Sequence, residues 1–83
     1  LMGEMESVAK SLISDLSDFN RDIIFTLHSD GEIKYDIKDK DNYTDLRNMG
    51  LIRTRNRQAM RKDDTILLTK LGVLIVYEIR KNA

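Results

Sequence analysis

Apolar residues recur at three- and four-residue spacing in the first part of the chain, a pattern that predicts amphipathic helices. The stripe of the first helix consists of Met5, Val8, Leu12, Ile13 and Leu16. Ser17 can cap a second helix, which should end near Gly31 because glycine readily adopts the left-handed conformation that closes a helix. The apolar stripe of this second helix consists of Phe19, Ile23, Ile24 and Leu27.

The middle of the chain is less regular. In Glu32–Ile37 apolar residues alternate with polar ones, which is compatible with a short strand or with the start of a helix. Ile33, Tyr35 and Ile37 would share one side of it. A short helix should follow, capped by Asp41 and running to about Met49, with Tyr43 and Leu46 facing inward and Gly50 ending it.

Two alternating segments, residues 51–58 and 65–68, predict a β-hairpin whose turn lies among residues 59–63. Thr69 can cap a last helix from Lys70 to about Lys81. The expected fold class is mainly α with a small antiparallel hairpin. At 83 residues we expect one domain, with an N-terminal helix in 1–16, a helical core in 17–50, the hairpin in 51–69 and a C-terminal helix in 70–82.

Three segments resemble winged helix-turn-helix proteins, particularly the MarR-type and related small archaeal and bacterial transcription regulators. Leu16–Ile24 is similar to the entry of the helix that opens the winged-helix core. Leu46–Ile52 resembles the end of a recognition helix, and Asp64–Gly72 resembles a returning wing strand that enters a helix. The resemblance covers about 65 residues, from Leu16 to the end. It implies a winged helix with extra N- and C-terminal helices, double-stranded DNA as partner, and transcriptional regulation.

The segment between Gly31 and Gly50 is short for this family. Eighteen residues, Glu32–Met49, would have to hold a strand, a helix, a turn and the recognition helix. We therefore expect the helix before the recognition helix to be reduced to about one turn or to be missing. The segment also carries five acids against four bases, which argues against direct base readout by this helix.

The formal net charge of zero hides an uneven distribution. Residues 1–50 carry eleven acids and six bases, residues 51–62 carry five bases and no acid, and residues 63–83 carry three of each. Such asymmetry favours contact with a polyanion. The candidate DNA-binding residues of the hairpin are Arg53, Arg55, Arg57, Arg61 and Lys62. Those of the short helix are Thr44, Arg47 and Asn48, and Lys40 lies in the charged turn before it.

On a strand, Arg53, Arg55 and Arg57 would project from one face, where like charges gain nothing for the fold unless anions lie opposite. The partner strand offers only Asp63 and Asp64, so phosphates fit better. The alternatives are an edge strand whose charges prevent aggregation and, for function, a winged-helix protein-interaction module that binds an acidic partner. On the short helix, arginine and asparagine suit guanine and adenine edges, and an ordinary solvated face is the alternative.

The residue types present exclude several classes of chemistry. The chain has no cysteine and one histidine, which excludes thiolate zinc sites, thiol nucleophiles and His-rich metal centres. His28 is expected to be a cation at a helix C-terminus, and Asp63 and Asp64 to be turn residues. We expect no catalytic residue, metal or cofactor, and no enzyme. The longest apolar run, Val73–Tyr77, is too short to span a membrane and no signal peptide is evident, so we expect a cytoplasmic protein.

The last helix has more apolar residues than one packed face needs. Its stripe consists of Leu71, Leu74, Ile75 and Ile79, and Val73, Val76 and Tyr77 lie on a different side. The surplus predicts a homodimer through the first and last helices, with an interface of Val8, Leu12, Val73, Val76 and Tyr77. The alternative is packing within one chain, against the N-terminal helix. The tyrosines are expected in the core or an interface rather than stacked on bases; they are Tyr35, Tyr43 and Tyr77.

Overall fold

The computed structural model describes residues 2–55 and 61–81, and the side chains of these except residues 2–6 and 9. The elements follow in the order α1 (Met2–Ser14), α2 (Asp18–Asp30), β1 (Ile33–Lys34), a 3-10 helix (Ile37–Asp39), α3 (Lys40–Asn48), β2 (Ile52–Thr54), β3 (Thr65–Leu68) and α4 (Lys70–Lys81). The prediction of a mainly helical chain with a small antiparallel sheet is confirmed.

The described strands form one antiparallel sheet in which β3 lies between β1 and β2. Ile66 of β3 is opposite Ile33 on one side and opposite Thr54 on the other. The alternating segment, residues 32–37, was compatible with a short strand or the start of a helix, and it contains strand β1. This strand adds to the two strands of the predicted hairpin. The pairing continues past β1, because the Tyr35 N–H donates to the Asp64 carbonyl at 2.8 Å.

The core lies between the inner face of this sheet and helices α2, α3 and α4. Each fully buried aliphatic side chain there contributes about 1.5–3 kcal/mol. The buried apolar residues are Leu16, Ile23, Ile24, Leu27, Tyr35, Tyr43, Leu46, Leu51, Ile52, Ile66, Ile75 and Val76. The expectation that Tyr35 and Tyr43 belong to the core is confirmed. Phe19, expected on the apolar stripe of the second helix, is exposed instead, and so is Ile37, which was expected to share a side with Ile33 and Tyr35.

Helix α2 begins and ends where the sequence predicted. The Ser17 hydroxyl accepts from the Asn20 N–H at 3.1 Å, and Gly31 closes the helix with a φ of 86°. The buried stripe differs from the predicted one only at its first position, where Asn20 packs inward and Phe19 is exposed. The phase of the helix is set by Ile23, Ile24 and Leu27, which leaves position 20 rather than 19 on the buried side.

The chain leaves the sheet at Asp36, whose side chain accepts from the Lys38 N–H at 3.1 Å and caps the 3-10 helix. This turn carries Ile37 away from the side shared by Ile33 and Tyr35, which explains its exposure. The three-residue 3-10 helix occupies the place where the short spacing predicted about one helical turn. Helix α3 starts at Lys40, one residue before the predicted cap Asp41. Gly50 ends the turn after it, with a φ of 78°.

Helix α4 is covered on two sides within one chain, because both α1 and α2 pack against it. Val76 is fully buried, so the prediction that it lies at a dimer interface is wrong. Leu12 is half-buried against the core, Val73 is half-buried, and Tyr77 is 57% exposed. The surplus of apolar residues on α4 is therefore explained in large part by packing within the chain.

Candidate nucleic-acid interface

An open cavity of about 560 Å³ lies beside the segment that joins β1 to α3. Four basic residues line it, and all four are exposed: Lys34, Lys40, Arg61 and Lys62. The acidic residues at the cavity are Asp36 and Asp63, and its uncharged residues are Tyr35 and Ile37. We refer to this place as the cationic cavity. It brings together three predicted DNA-binding residues, Lys40, Arg61 and Lys62, which the chain separates by about twenty positions.

Backbone pairing holds the two sides of the cationic cavity together. Lys34 belongs to β1 and Lys40 is the first residue of α3, whereas Arg61 and Lys62 precede β3. The Asp63 N–H donates to the Tyr35 carbonyl at 3.4 Å, next to the 2.8 Å bond between Tyr35 and Asp64. These bonds extend the β1–β3 ladder and fix the segment before β3 beside the 3-10 helix.

A tight turn presents Arg61 and Lys62 to solvent. The Asp64 carboxylate accepts from the Arg61 N–H at 2.8 Å, and the Asp64 N–H donates back to the Arg61 carbonyl at 3.0 Å. Asp63 has a φ of 68°, in the left-handed region that aspartate tolerates better than most residues. The prediction that the paired aspartates are turn residues is confirmed. The Asp64 carboxylate holds this turn, and Asp64 is not among the residues that line the cavity.

The two acids that line the cavity, Asp36 and Asp63, are outnumbered by its four bases. Asp36 caps the 3-10 helix, and its carboxylate lies 3.9 Å from the Lys38 ammonium. The cavity therefore keeps an excess of positive charge. Behind it, the rings of Tyr35 and Tyr43 lie 5.5 Å apart. Burial, reinforced by the negative charges of Asp39 and Asp36, raises the pKa of Tyr43, so this phenol stays neutral and serves packing.

The outer face of the sheet carries the other predicted arginines that the structure describes. Arg53 is exposed between the buried Ile52 and Thr54, as period two predicts. Arg55 follows the strand, and its guanidinium lies 3.3 Å from the Glu32 carboxylate. The expectation that only Asp63 and Asp64 could face the arginines is wrong, because β1 brings Glu32 to this face. Arg57 lies outside the described residues.

Lys34 joins the same group on the outer face. Its ammonium donates to the Thr65 hydroxyl at 2.8 Å and lies 4.0 Å from Glu32. Glu32 thus stands between two cations, Lys34 and Arg55, on the surface that otherwise carries positive charge. The sequence reasoning missed both Glu32 and Lys34. The alternation in residues 32–37 was the available signal, but which strand lies beside them depends on pairing more than thirty residues away.

Helix α3 presents its predicted residues to solvent. Lys40, Thr44, Arg47 and Asn48 are all exposed, and their spacing of three or four residues places them on one side of the helix. Asp41 and Asp45 are exposed as well. Lys40 belongs both to this face and to the cationic cavity, so the two surfaces are continuous. His28, expected as a C-terminal cation, lies in the last turn of α2 and packs edge-on against the ring of Tyr77 at 5.6 Å.

The described part of the chain contains neither a candidate metal centre nor a helix that could span a membrane. Within residues 2–55 and 61–81, no three histidine, aspartate or glutamate side chains are grouped so that they could hold a metal ion. In the same ranges, no helix combines the length and the apolar character needed to span a bilayer. Comparison with protein-family models, curated proteins and solved structures finds no match to this chain.

Proposed function

We propose that this protein binds duplex DNA and acts as a transcription regulator of the winged-helix type, in the cytoplasm. The observation that carries the proposal is the cationic cavity, where Lys40, Arg61 and Lys62 surround one opening. Four bases against two acids around one opening make a positively charged surface, and such a surface attracts anions. A row of phosphates is such an anion, and DNA-binding proteins take most of their affinity from it.

The order of elements supports the winged-helix interpretation. Helix α2, strand β1, the 3-10 helix, α3 and the β2–β3 pair follow in the order that the resemblance implies, with α1 and α4 as additional helices. In this interpretation α3 is the recognition helix and the segment between β2 and β3 is the wing. The cationic cavity then lies where the recognition helix begins and the wing returns to the sheet.

The exposed face of α3 favours DNA over an acidic protein partner. Arg47 and Asn48 are residue types that form two hydrogen bonds with the edges of guanine and adenine, and Thr44 can contact either a base or the methyl group of thymine. An acidic partner would need only the cations. Asp41 and Asp45 on the same helix limit close approach to phosphates, so we expect α3 to add modest base contact to an affinity supplied by the cavity and wing.

The test replaces Lys40, Arg61 and Lys62 together by glutamine. Random-sequence duplex DNA should bind this variant about tenfold or more weakly at about 50 mM salt, and the slope of log K against log salt should flatten by about 0.9 for each phosphate that the variant no longer neutralises. Fluorescence anisotropy with a labelled duplex measures both quantities. Because all three side chains are exposed, the thermal unfolding midpoint should stay unchanged.

The matched control replaces Lys10, Lys70 and Lys81 by glutamine. These lysines are exposed on α1 and α4, and the substitution removes the same charge. If both triple variants bind equally, the affinity reflects net charge and not the cationic cavity. If the unaltered protein fails to retard duplex DNA at low salt but binds polyglutamate, the interaction-module alternative replaces DNA binding.

We also propose that the protein forms a homodimer through exposed apolar residues of α1 and α4. Val8 is 48% exposed and Tyr77 is 57% exposed, and Val73 is half-buried one turn before Tyr77. Joining two DNA-binding surfaces raises overall affinity without new contacts to DNA. Sedimentation should show a dimer at high micromolar concentration and a folded monomer for Tyr77→Lys. A wild-type monomer at that concentration would contradict the dimer.

A further inference from the structure

Ile37 is the most exposed large apolar side chain in the part of the chain that the structure describes, at 74%. It begins the 3-10 helix, whose cap is provided by Asp36 and not by Ile37. A polar residue would satisfy the geometry of this turn equally well, since the turn is held by the Asp36 carboxylate and the Lys38 N–H. Folding therefore does not account for an isoleucine at this position.

The surroundings of Ile37 differ from those of the other exposed apolar residues. Val8, Phe19 and Tyr77 lie on α1, α2 and α4, whereas Ile37 lies in the cationic cavity. Lys34 and Lys40 flank it along the chain, and Arg61 and Lys62 come from the segment before β3. The lining of this cavity thus combines one exposed apolar side chain with four bases from two separate segments and with two acids, Asp36 and Asp63.

We propose that Ile37 is itself a DNA-binding residue, which makes an apolar contact with deoxyribose and base edges while the surrounding lysines and arginine hold the flanking phosphates. This inference rests on the proposed function. Duplex DNA offers apolar sugar and base atoms between two rows of phosphates, and DNA-binding proteins place isoleucine and similar side chains against them. The cationic cavity offers the matching groups, an exposed apolar side chain and four bases that line the same opening.

A lipid surface and an acidic peptide are the competing partners of such a site. A membrane-binding surface needs several apolar side chains on one convex face, usually along an amphipathic helix. Ile37 lies in a cavity, and the other exposed apolar residues of the described part lie on other elements. An acidic peptide would match the charges, but the base-reading residue types on the adjoining face of α3 favour nucleic acid.

The experiment compares Ile37→Ser with Phe19→Ser, which removes an exposed apolar side chain of α2 outside the cavity. Ile37→Ser should weaken duplex binding about tenfold at every salt concentration, the effect of removing one buried aliphatic side chain from the interface. The slope of log K against log salt should stay unchanged, because every phosphate keeps its cation. Phe19→Ser should bind like the unaltered protein, and Ile37→Leu should retain most of the affinity.

Inorganic polyphosphate separates the apolar contact from the ionic ones, since it offers phosphates without sugars or bases. Ile37→Ser and the unaltered protein should bind it equally. If Ile37→Ser binds duplex DNA normally while the triple variant of Lys40, Arg61 and Lys62 is weakened, this inference fails and the proposed function stands. If the unaltered protein binds no DNA, both fail. If Ile37→Ser loses binding only to vesicles of phosphatidylserine, or only to polyglutamate, the inference is overturned in favour of that partner.

Discussion

The N-terminus of α4 and the cationic cavity differ in one respect: polar groups bond within the chain at the first and face solvent at the second. At the entry of α4, Thr69 donates its hydroxyl to the Gly50 carbonyl at 2.6 Å and accepts from the Gly72 N–H at 3.1 Å. Its own N–H donates to the Leu51 carbonyl at 3.0 Å. The polar groups of Thr69 are thus engaged within the chain. In the cationic cavity, Lys40, Arg61 and Lys62 project into solvent.

This difference separates residues whose polar groups bond within the fold from residues whose charges are exposed to solvent. Gly72 is buried against Leu51, and an added Cβ would overlap the Leu51 carbonyl oxygen and lie 2.8 Å from Leu68. Its identity follows from packing alone. The identities of Lys40 and Lys62 follow from nothing inside the described part of the chain, so a substitution there should leave the fold intact and change binding. Mutations in the two regions should therefore give opposite results.

The largest effect is expected for Gly72→Ala. Because the obstructing atom belongs to the backbone of Leu51, the junction must separate to make room, and we expect a loss of about 3 kcal/mol in the free energy of unfolding. Urea denaturation measures this loss. The fraction that remains folded should bind duplex DNA normally, since the cationic cavity does not include this junction.

Gly31→Ala provides the matched control. Gly31 has a positive φ, 86°, but a Cβ there would meet nothing within 4 Å. Only backbone strain opposes the alanine, so the cost should be about 1 kcal/mol. Equal losses for Gly31→Ala and Gly72→Ala would show that the α4 junction is looser than the contacts of Gly72 indicate.

The parts of the fold that depend on neighbouring residues were predictable from the sequence. Ser17, Gly31, Gly50 and Thr69 begin or end helices as predicted, because capping needs only groups a few positions away. Whether residues 32–37 form a strand or the start of a helix stayed open, and the exposure of Phe19 was not predicted. Burial depends on what packs against an element, and β1 pairs with residues more than thirty positions away.

The candidate site was predictable to a similar extent. The uneven charge distribution identified Arg61 and Lys62, and Lys40 was predicted as a DNA-binding residue of the charged turn before the short helix. That these residues meet around one cavity follows from the pairing of Tyr35 with Asp63 and Asp64, which no local pattern contains. Glu32 was missed for the same reason. Long-range strand pairing thus decides which charges are neighbours.

The smallest predicted effect is that of replacing Glu32, the carboxylate that lies near two cations. The Glu32 carboxylate lies 3.3 Å from the Arg55 guanidinium and 4.0 Å from the Lys34 ammonium. Exposed ion pairs of this kind each contribute about 0–1 kcal/mol to stability. Glu32→Gln should leave the unfolding midpoint almost unchanged and strengthen duplex binding about two- to fivefold, because it frees two cations and removes repulsion from phosphates. Asp22→Asn, an exposed carboxylate of α2 with the same charge change, should alter binding less. Equal gains for both variants would mean that DNA senses only net charge, and weaker binding by Glu32→Gln would mean that Glu32 positions Arg55 for its phosphate.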